Sequence, residues 1–179
     1  HEVGHVRLVL AVGADLPHAF RQLMESNRVI LDELVVVDGE ETPTVWIASD
    51  DQQDQVAYVF QGAMAGMRSY PPKVKGAKEA LVIHLMTGSP DYYLKLLSRP
   101  DMLRKKKSLD PSQEIHNVWD AERFSQALRS SDMFFCNQSE LATALRYMGR
   151  QRPEELLEFI PVMISTMGVQ GARIYTRDE

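Results

Sequence analysis

Met133-Phe134-Phe135-Cys136-Asn137-Gln138-Ser139-Glu140-Leu141-Ala142-Thr143-Ala144-Leu145 is the stretch from which the fold is read. Its first four residues are apolar without alternation, the pattern of a strand buried on both faces. The period then changes, with Leu141, Ala144, Leu145 and Met148 recurring at helical spacing until Gly149 stops the helix. Ser139 is expected as the N-cap of that helix. A buried strand running straight into an amphipathic helix is the repeating unit of a parallel α/β sheet.

The same unit recurs on either side. Upstream, Ala80 to Met86 reads as a buried strand, Ser89 as an N-cap before Pro90, and Tyr93, Leu94 and Leu97 as the apolar face of the next helix. A short strand is expected to end at Leu109-Asp110, and Asp120 to cap a helix carrying Phe124, Ala127 and Leu128. Downstream, Pro153 starts another helix, Val162 to Thr166 is a buried strand, and Ala172 to Thr176 returns as a strand after a Gly168 to Gly171 turn. Near-continuous apolar strands imply a mostly parallel sheet covered on both faces. In such sheets ligands bind outside the carboxyl ends of the strands, which picks out Gly13 to Asp15, Thr87-Gly88, Asp110-Pro111, Asn137 to Glu140 and Thr166 to Gly171.

The first third of the chain reads differently. Val6 to Val12 is a buried strand closed by Gly13, and Pro17 opens a helix through Phe20, Leu23 and Met24. Leu34 to Val37, Thr42 to Ser49 and Gln55 to Phe60 follow, rich in Val, Ile, Thr and aromatic residues, and are expected to form an antiparallel meander. Alternation leaves neither face of it strongly apolar, so this small sheet needs a partner or a ligand. Gly62 to Lys78, with Pro71-Pro72, reads as a loop or hinge.

Composition narrows the function. The 179 residues carry 20 Lys plus Arg and 25 Asp plus Glu, a net charge of −5, which gives no broad field for a phosphate backbone and speaks against nucleic acid as a partner. No apolar run is long enough for a membrane span. The one cysteine, Cys136, excludes an internal disulfide and suits a reducing cytoplasm. The chain opens at His1, without Met, directly before a strand and ends at Glu179 just after another, so it is expected to be the middle of something longer.

Each motif has a functional and a plain reading. His1-Glu2-Val3-Gly4-His5 spells the zinc-peptidase signature, but that signature needs a helix, and here Gly4 and an immediate strand favour a simple turn. Asn137 to Glu140 stands where a strand meets a helix N-terminus, a place suited to phosphate, and equally suited to capping alone. The glycines of Thr166-Met167-Gly168-Val169-Gln170-Gly171 let backbone N–H groups approach an anion, or simply make a tight turn. Asp110 faces a ligand or ends a strand. Arg104 to Lys107 reads as a solvated approach to its strand, His84 as a packed core histidine, and Cys136 as a buried thiol with no base near it in sequence. Trp46, Tyr58 and Phe60 offer rings for stacking on a ligand or for an interface.

In order along nearly the whole chain, these segments resemble the PfkB, or ribokinase-like, family of sugar and nucleoside kinases, and its archaeal-type nucleoside kinase branch in particular. The resemblance is carried by Leu8 to Asp15, Glu41 to Trp46, Gln55 to Met64, Thr87-Gly88-Ser89-Pro90, Asp110-Pro111-Ser112-Gln113-Glu114, Asn137-Gln138-Ser139-Glu140 and the loop from Thr166 to Gly171. It implies a three-layer α/β/α sandwich with a small β-sheet lid, incomplete in this chain, in which residues 1–33 and 62–179 form the core and 34–61 the lid. It further implies Mg2+-dependent transfer of the ATP γ-phosphoryl to a sugar or nucleoside hydroxyl, and homodimers formed through the lid. By the same resemblance Asn137 and Glu140 help to organise the metal and phosphates, Thr166, Gly168 and Gly171 lie along the nucleotide, and Trp46, Gln55 and Asp110 meet the substrate. The family's Gly-Gly substrate motif and its Gly-Ala-Gly-Asp segment with the catalytic base do not occur in the chain; the resemblance places them before His1 and after Glu179. Ser112 stands where glycine is usual. A chain without the base is expected to be nearly inert by itself, and the alternative is a non-catalytic relative that binds or assembles.

Overall fold

The structure is a computed structural model that describes residues 4–51 and 55–177, with Gln55 described in its backbone only. The chain falls into two compact units that divide after Gly76.

In the first unit, β1 (Val6–Arg7) pairs in parallel with β3 (Val29–Ile30), and β2 (Ala11–Gly13) pairs in parallel with β4 (Val35–Val37). Helix α1 (His18–Ser26) follows β2. The segment expected to open the meander is therefore a parallel partner of β2. A run of three valines suits such a strand as well as a hairpin, and pairing decided between them. The antiparallel part consists of β5 (Thr44–Ser49) and β6 (Gln55–Phe60) alone, in register from Thr44↔Phe60 to Ser49↔Gln55.

The stretch expected as a hinge is ordered. A 3-10 segment covers Gly62–Ser69, and a short helix α2 (Lys75–Glu79) follows. The buried Glu33 carboxylate accepts the N–H groups of Lys75 (3.0 Å) and Gly76 (2.7 Å), satisfying donors that a helix start leaves open. A Cβ at Gly76 would push aside the side chains of Arg7 and Glu33, disturbing the carboxylate that holds this helix start.

The second unit is the α/β part. Its five-stranded sheet has the order β11-β10-β9-β8-β7, formed by β7 (Val82–Leu85), β8 (Lys106–Leu109), β9 (Met133–Asn137), β10 (Val162–Thr166) and β11 (Ala172–Thr176). The first four are mutually parallel and β11 is an antiparallel edge. Helices α3 (Pro90–Leu97), α4 (Ala121–Arg129) and α5 (Gln138–Met148) lie between them in sequence. Leu85, Leu109, Phe134 and Met163 form one row across the parallel strands, each almost wholly buried, in a core shared with Phe124, Leu128, Ala144 and Leu156.

Alternate residues face the other way; on that face Val82, Met86 and Ile174 are half or more exposed, while Ser108 is buried. His84 lies on it, exposed, with Nδ1 2.6 Å from Ser108 Oγ and its ring edge-on to Phe135. The expected core histidine is thus exposed among the described residues, on the face opposite the row from Leu85 to Met163.

Capping follows sequence with two corrections. Asp120 caps α4 as expected, accepting Arg123 N–H at 2.8 Å. Ser89 precedes α3 without a side-chain capping bond, and α5 is capped by Asn137 rather than Ser139, because the helix begins at Gln138, two residues earlier than a Ser139 cap implies. Gly149 ends α5 with φ 63°, which lets the Arg150 N–H return to the Leu145 carbonyl at 2.9 Å. The basic run before Asp110 is not merely solvated. Lys107 is buried, and its Nζ donates to the carbonyls of Met102, Leu103 and Lys105 (3.3, 3.4 and 2.6 Å).

No helix among the described residues is long and apolar enough to cross a membrane.

Candidate functional site

The parallel strands β7 to β10 end on one edge, and the residues following them are those the sequence singled out. After β8, Asp110 donates its backbone N–H to the Leu85 carbonyl (2.7 Å) while its Oδ1 accepts Ser112 N–H (3.1 Å). That Asx turn drives Ser112 into the left-handed region, φ 51°, where a glycine would sit without strain.

After β9, Asn137 and Glu140 bind each other three times. Asn137 N–H donates to Glu140 Oε2 (2.7 Å), Asn137 Nδ2 to Glu140 Oε1 (2.9 Å), and Glu140 N–H to Asn137 Oδ1 (2.9 Å). This capping box holds a largely buried carboxylate at the start of an eleven-residue helix, where the positive end of the dipole favours it. Thr166, the last residue of β10, pairs in register with Asn137, so the hydroxyl and the capping box stand at the ends of adjacent strands. Met167 N–H then bonds to the Gly171 carbonyl (2.7 Å) and Gly171 N–H to the Gly168 carbonyl (3.0 Å), closing a small loop. Both glycines have positive φ, 55° and 87°. A Cβ at either would meet nothing within 4 Å, so conformation requires the glycine and the space above the loop is open.

The structure thus brings Asn137, Glu140 and Thr166 together, with Gly168 and Gly171 immediately after them. Trp46 belongs to the first unit; it lies on β5 opposite Tyr58, and both rings are about three-fifths exposed. Gln55 begins β6 opposite Ser49, and its side chain lies outside the described residues, as do His1 and Glu2 of the zinc-like signature. Cys136 is buried, and burial pushes its thiol up to about 12, so it is no nucleophile at neutral pH.

Among the described residues no three His, Cys, Asp or Glu side chains cluster to hold a metal unaided. Glu140 nevertheless suits magnesium. Each of its oxygens receives a hydrogen bond from Asn137 and retains a second lone pair, and this ion binds through one or two carboxylates together with water and substrate phosphates.

Two features escaped the sequence. Glu114 accepts the Gly88 N–H across two of these loops, at 2.5 Å. In the first unit, Asp15 Oδ1 accepts both the N–H and the hydroxyl of Thr42 (2.8 and 2.7 Å), and Gly13 N–H donates to the same hydroxyl (3.1 Å). Neither carboxylate has a sequence neighbour that announces its partner; only the fold brings them within reach.

The model of the pfkB family carbohydrate kinases matches residues 2–179. The chain belongs to the pfkB family. A nucleoside kinase of Methanothermobacter thermautotrophicus is 28% identical over 173 residues, covering 96% of this chain and 55% of that protein. Within the pfkB fold, the crystal structure of Methanocaldococcus jannaschii nucleoside kinase, an archaeal member of the ribokinase family, superposes with a TM-score of 0.83 at 23% identity, covering 98% of this chain and 57% of the other. Burkholderia thailandensis nucleoside kinase in complex with inosine gives a TM-score of 0.82 at 19% identity, over 98% of this chain and 56% of that one. The architecture is therefore ribokinase-like, α/β with a mostly parallel sheet. The chain spans about half the length of the curated relatives it matches.

Proposed function

We propose that residues 1–179 are part of a kinase that transfers the γ-phosphoryl of ATP to a hydroxyl of a sugar or nucleoside. The observation that supports it best is the adjacency of the Asn137–Glu140 capping box and Thr166 at the ends of paired parallel strands. Phosphoryl transfer needs positioning and charge neutralisation more than covalent help. The open glycine loop offers backbone space to the nucleotide, and Thr166 a hydroxyl. Glu140 and Asn137 would hold magnesium with the phosphates, and the ion would neutralise charge on the transferring group. Asp110, just after the next strand, would meet the acceptor.

Residues 34–61 serve in this reading as the lid over a core of 1–33 and 62–179. Trp46 and Gln55 would bind the acceptor, and the lid would pair two copies. An exposed apolar hairpin supports this, since two strands alone are marginal in water. The nucleoside named with the Burkholderia thailandensis enzyme, inosine, makes a nucleoside the first acceptor to test.

The experiment takes the complete polypeptide containing these residues, with MgATP and a panel of inosine, adenosine, cytidine and ribose, and follows ADP release and the phosphorylated product. Turnover of at least one acceptor is expected. Saturable nucleoside binding with no turnover would replace the kinase reading with that of a non-catalytic relative.

A further inference from the structure

The peptide between Thr87 and Gly88 is gripped at both polar ends. Tyr93 Oη donates to the Thr87 carbonyl at 2.8 Å, and Gly88 N–H donates to Glu114 Oε2 at 2.5 Å. A peptide plane bonded on both sides cannot turn over without breaking both bonds. It needs such a grip, because Gly88, with φ 151°, is free to adopt many other conformations. The donor is dependable: burial, and then the Glu114 charge, push the Tyr93 phenol far above its ordinary range, so it keeps its proton.

Glu114 is itself braced. It lies in the 3-10 segment Ser112–His116, where the Ile115 carbonyl accepts Tyr147 Oη (2.9 Å) and His116 Nδ1 lies 2.9 Å from Thr143 Oγ1. Tyr147 and Thr143 are on α5, the helix that Asn137 caps. Bracing therefore runs from the phosphate-side helix through Glu114 to the loop after β7.

The sheet order assigns that loop a place. Across the strand ends stand Thr166 on β10, Asn137 ending β9, Asp110 after β8, and Thr87 after β7. At about 4.8 Å per strand, Thr87 is roughly 14 Å from Thr166, on the far side of Asp110 from the nucleotide loop. Its side chain is exposed. We propose that Tyr93 and Glu114 are positioning residues, which fix the Thr87–Gly88 peptide so that the Thr87 hydroxyl hydrogen-bonds the phosphate-accepting substrate. This rests on the kinase reading above.

The test uses the complete polypeptide, with Gly88 amide exchange measured without substrate and kinetics measured on whichever panel acceptor the wild type turns over fastest. Glu114→Ala should cost Gly88 about tenfold or more in protection and raise the acceptor KM about tenfold, with the ATP KM within about twofold. Glu114→Gln, which still offers an acceptor oxygen, should restore most of both, and covers the case in which the alanine variant fails to fold. Thr87→Ala should raise the acceptor KM with Gly88 protection unchanged. An acceptor KM unmoved in Glu114→Ala or Thr87→Ala, or an ATP KM that rises in step, overturns the proposal while the kinase reading stands. A wild type that phosphorylates nothing overturns the kinase reading, and the acceptor role falls with it.

Discussion

Glu140 accepts both the backbone N–H and the side-chain Nδ2 of Asn137, and returns its own N–H to Asn137 Oδ1. The pair has two separable duties, capping α5 and presenting a carboxylate beside Thr166. Glu140→Ala should lose both: stability falls by about 1–2 kcal/mol, and, on the proposed kinase reading, the magnesium requirement for half-maximal rate of the complete polypeptide rises about tenfold. Glu140→Gln keeps an acceptor for Asn137 N–H and removes the charge. It accepts from only one of the two Asn137 donors, so it should lose less stability than Glu140→Ala yet show the same raised magnesium requirement. Calorimetry with a magnesium titration separates them, and an unchanged requirement in both variants refutes the metal role.

Ser112 has φ 51° in a turn whose Asp110 bond uses only the Ser112 backbone. Ser112→Gly should relieve the left-handed penalty and stabilise the protein by about 1 kcal/mol. The urea midpoint checks this; a lower midpoint means that the serine side chain contributes more than its strain costs.

What was legible in the sequence follows from how local each signal is. Met133 to Cys136 and Val162 to Ser165 announce buried strands because burial writes itself into consecutive side chains. Asp120 and Gly149 were readable because capping is a relation among a few neighbours. The partner of Val35 to Val37 was not, since a strand does not record which strand it pairs with. His84 alternates like a core residue, yet it is exposed among the described residues. Lys107 looks solvated in a basic run, and only the turn at Met102 to Lys105 supplies carbonyls for its ammonium. At the site, the residue types at the strand ends were visible, while the Glu114 bond to Gly88, 26 residues apart, depends on tertiary placement.

The hairpin of β5 and β6 exposes apolar side chains on both sides, Trp46, Tyr58 and Phe60 on one and Val45, Ile47 and Val59 on the other. If the aromatic side meets the acceptor, the aliphatic side is left for the second copy. Ile47→Asp should then weaken self-association of the complete protein by about tenfold or more, as a charge buried in an apolar interface is costly. Trp46→Ala should leave the mass unchanged and raise the acceptor KM. Light scattering after size exclusion decides; a monomeric wild type rules out the dimer.

Asp15 supplies a pH test of the first unit. The Thr42 hydroxyl, followed by the Thr42 N–H, holds its carboxyl below the ordinary 3.8. A carboxyl depressed in the folded state contributes stability that is fully present above its unfolded pKa and is lost as pH falls through the lower, folded value. Asp15→Asn keeps an acceptor oxygen for Thr42 but cannot titrate. It should therefore be less stable than wild type at about pH 6, with the gap closing as pH drops below about 4, where the wild-type carboxyl takes up its proton. Asp32, Asp101 and Asp120 are depressed too and steepen the acid limb of both proteins alike, so the reading is the difference between the two curves. Thermal melts across that range give it. A gap that stays constant from about pH 6 to about pH 3 shows that the Asp15 charge does not hold the turn from Gly13 to Thr42.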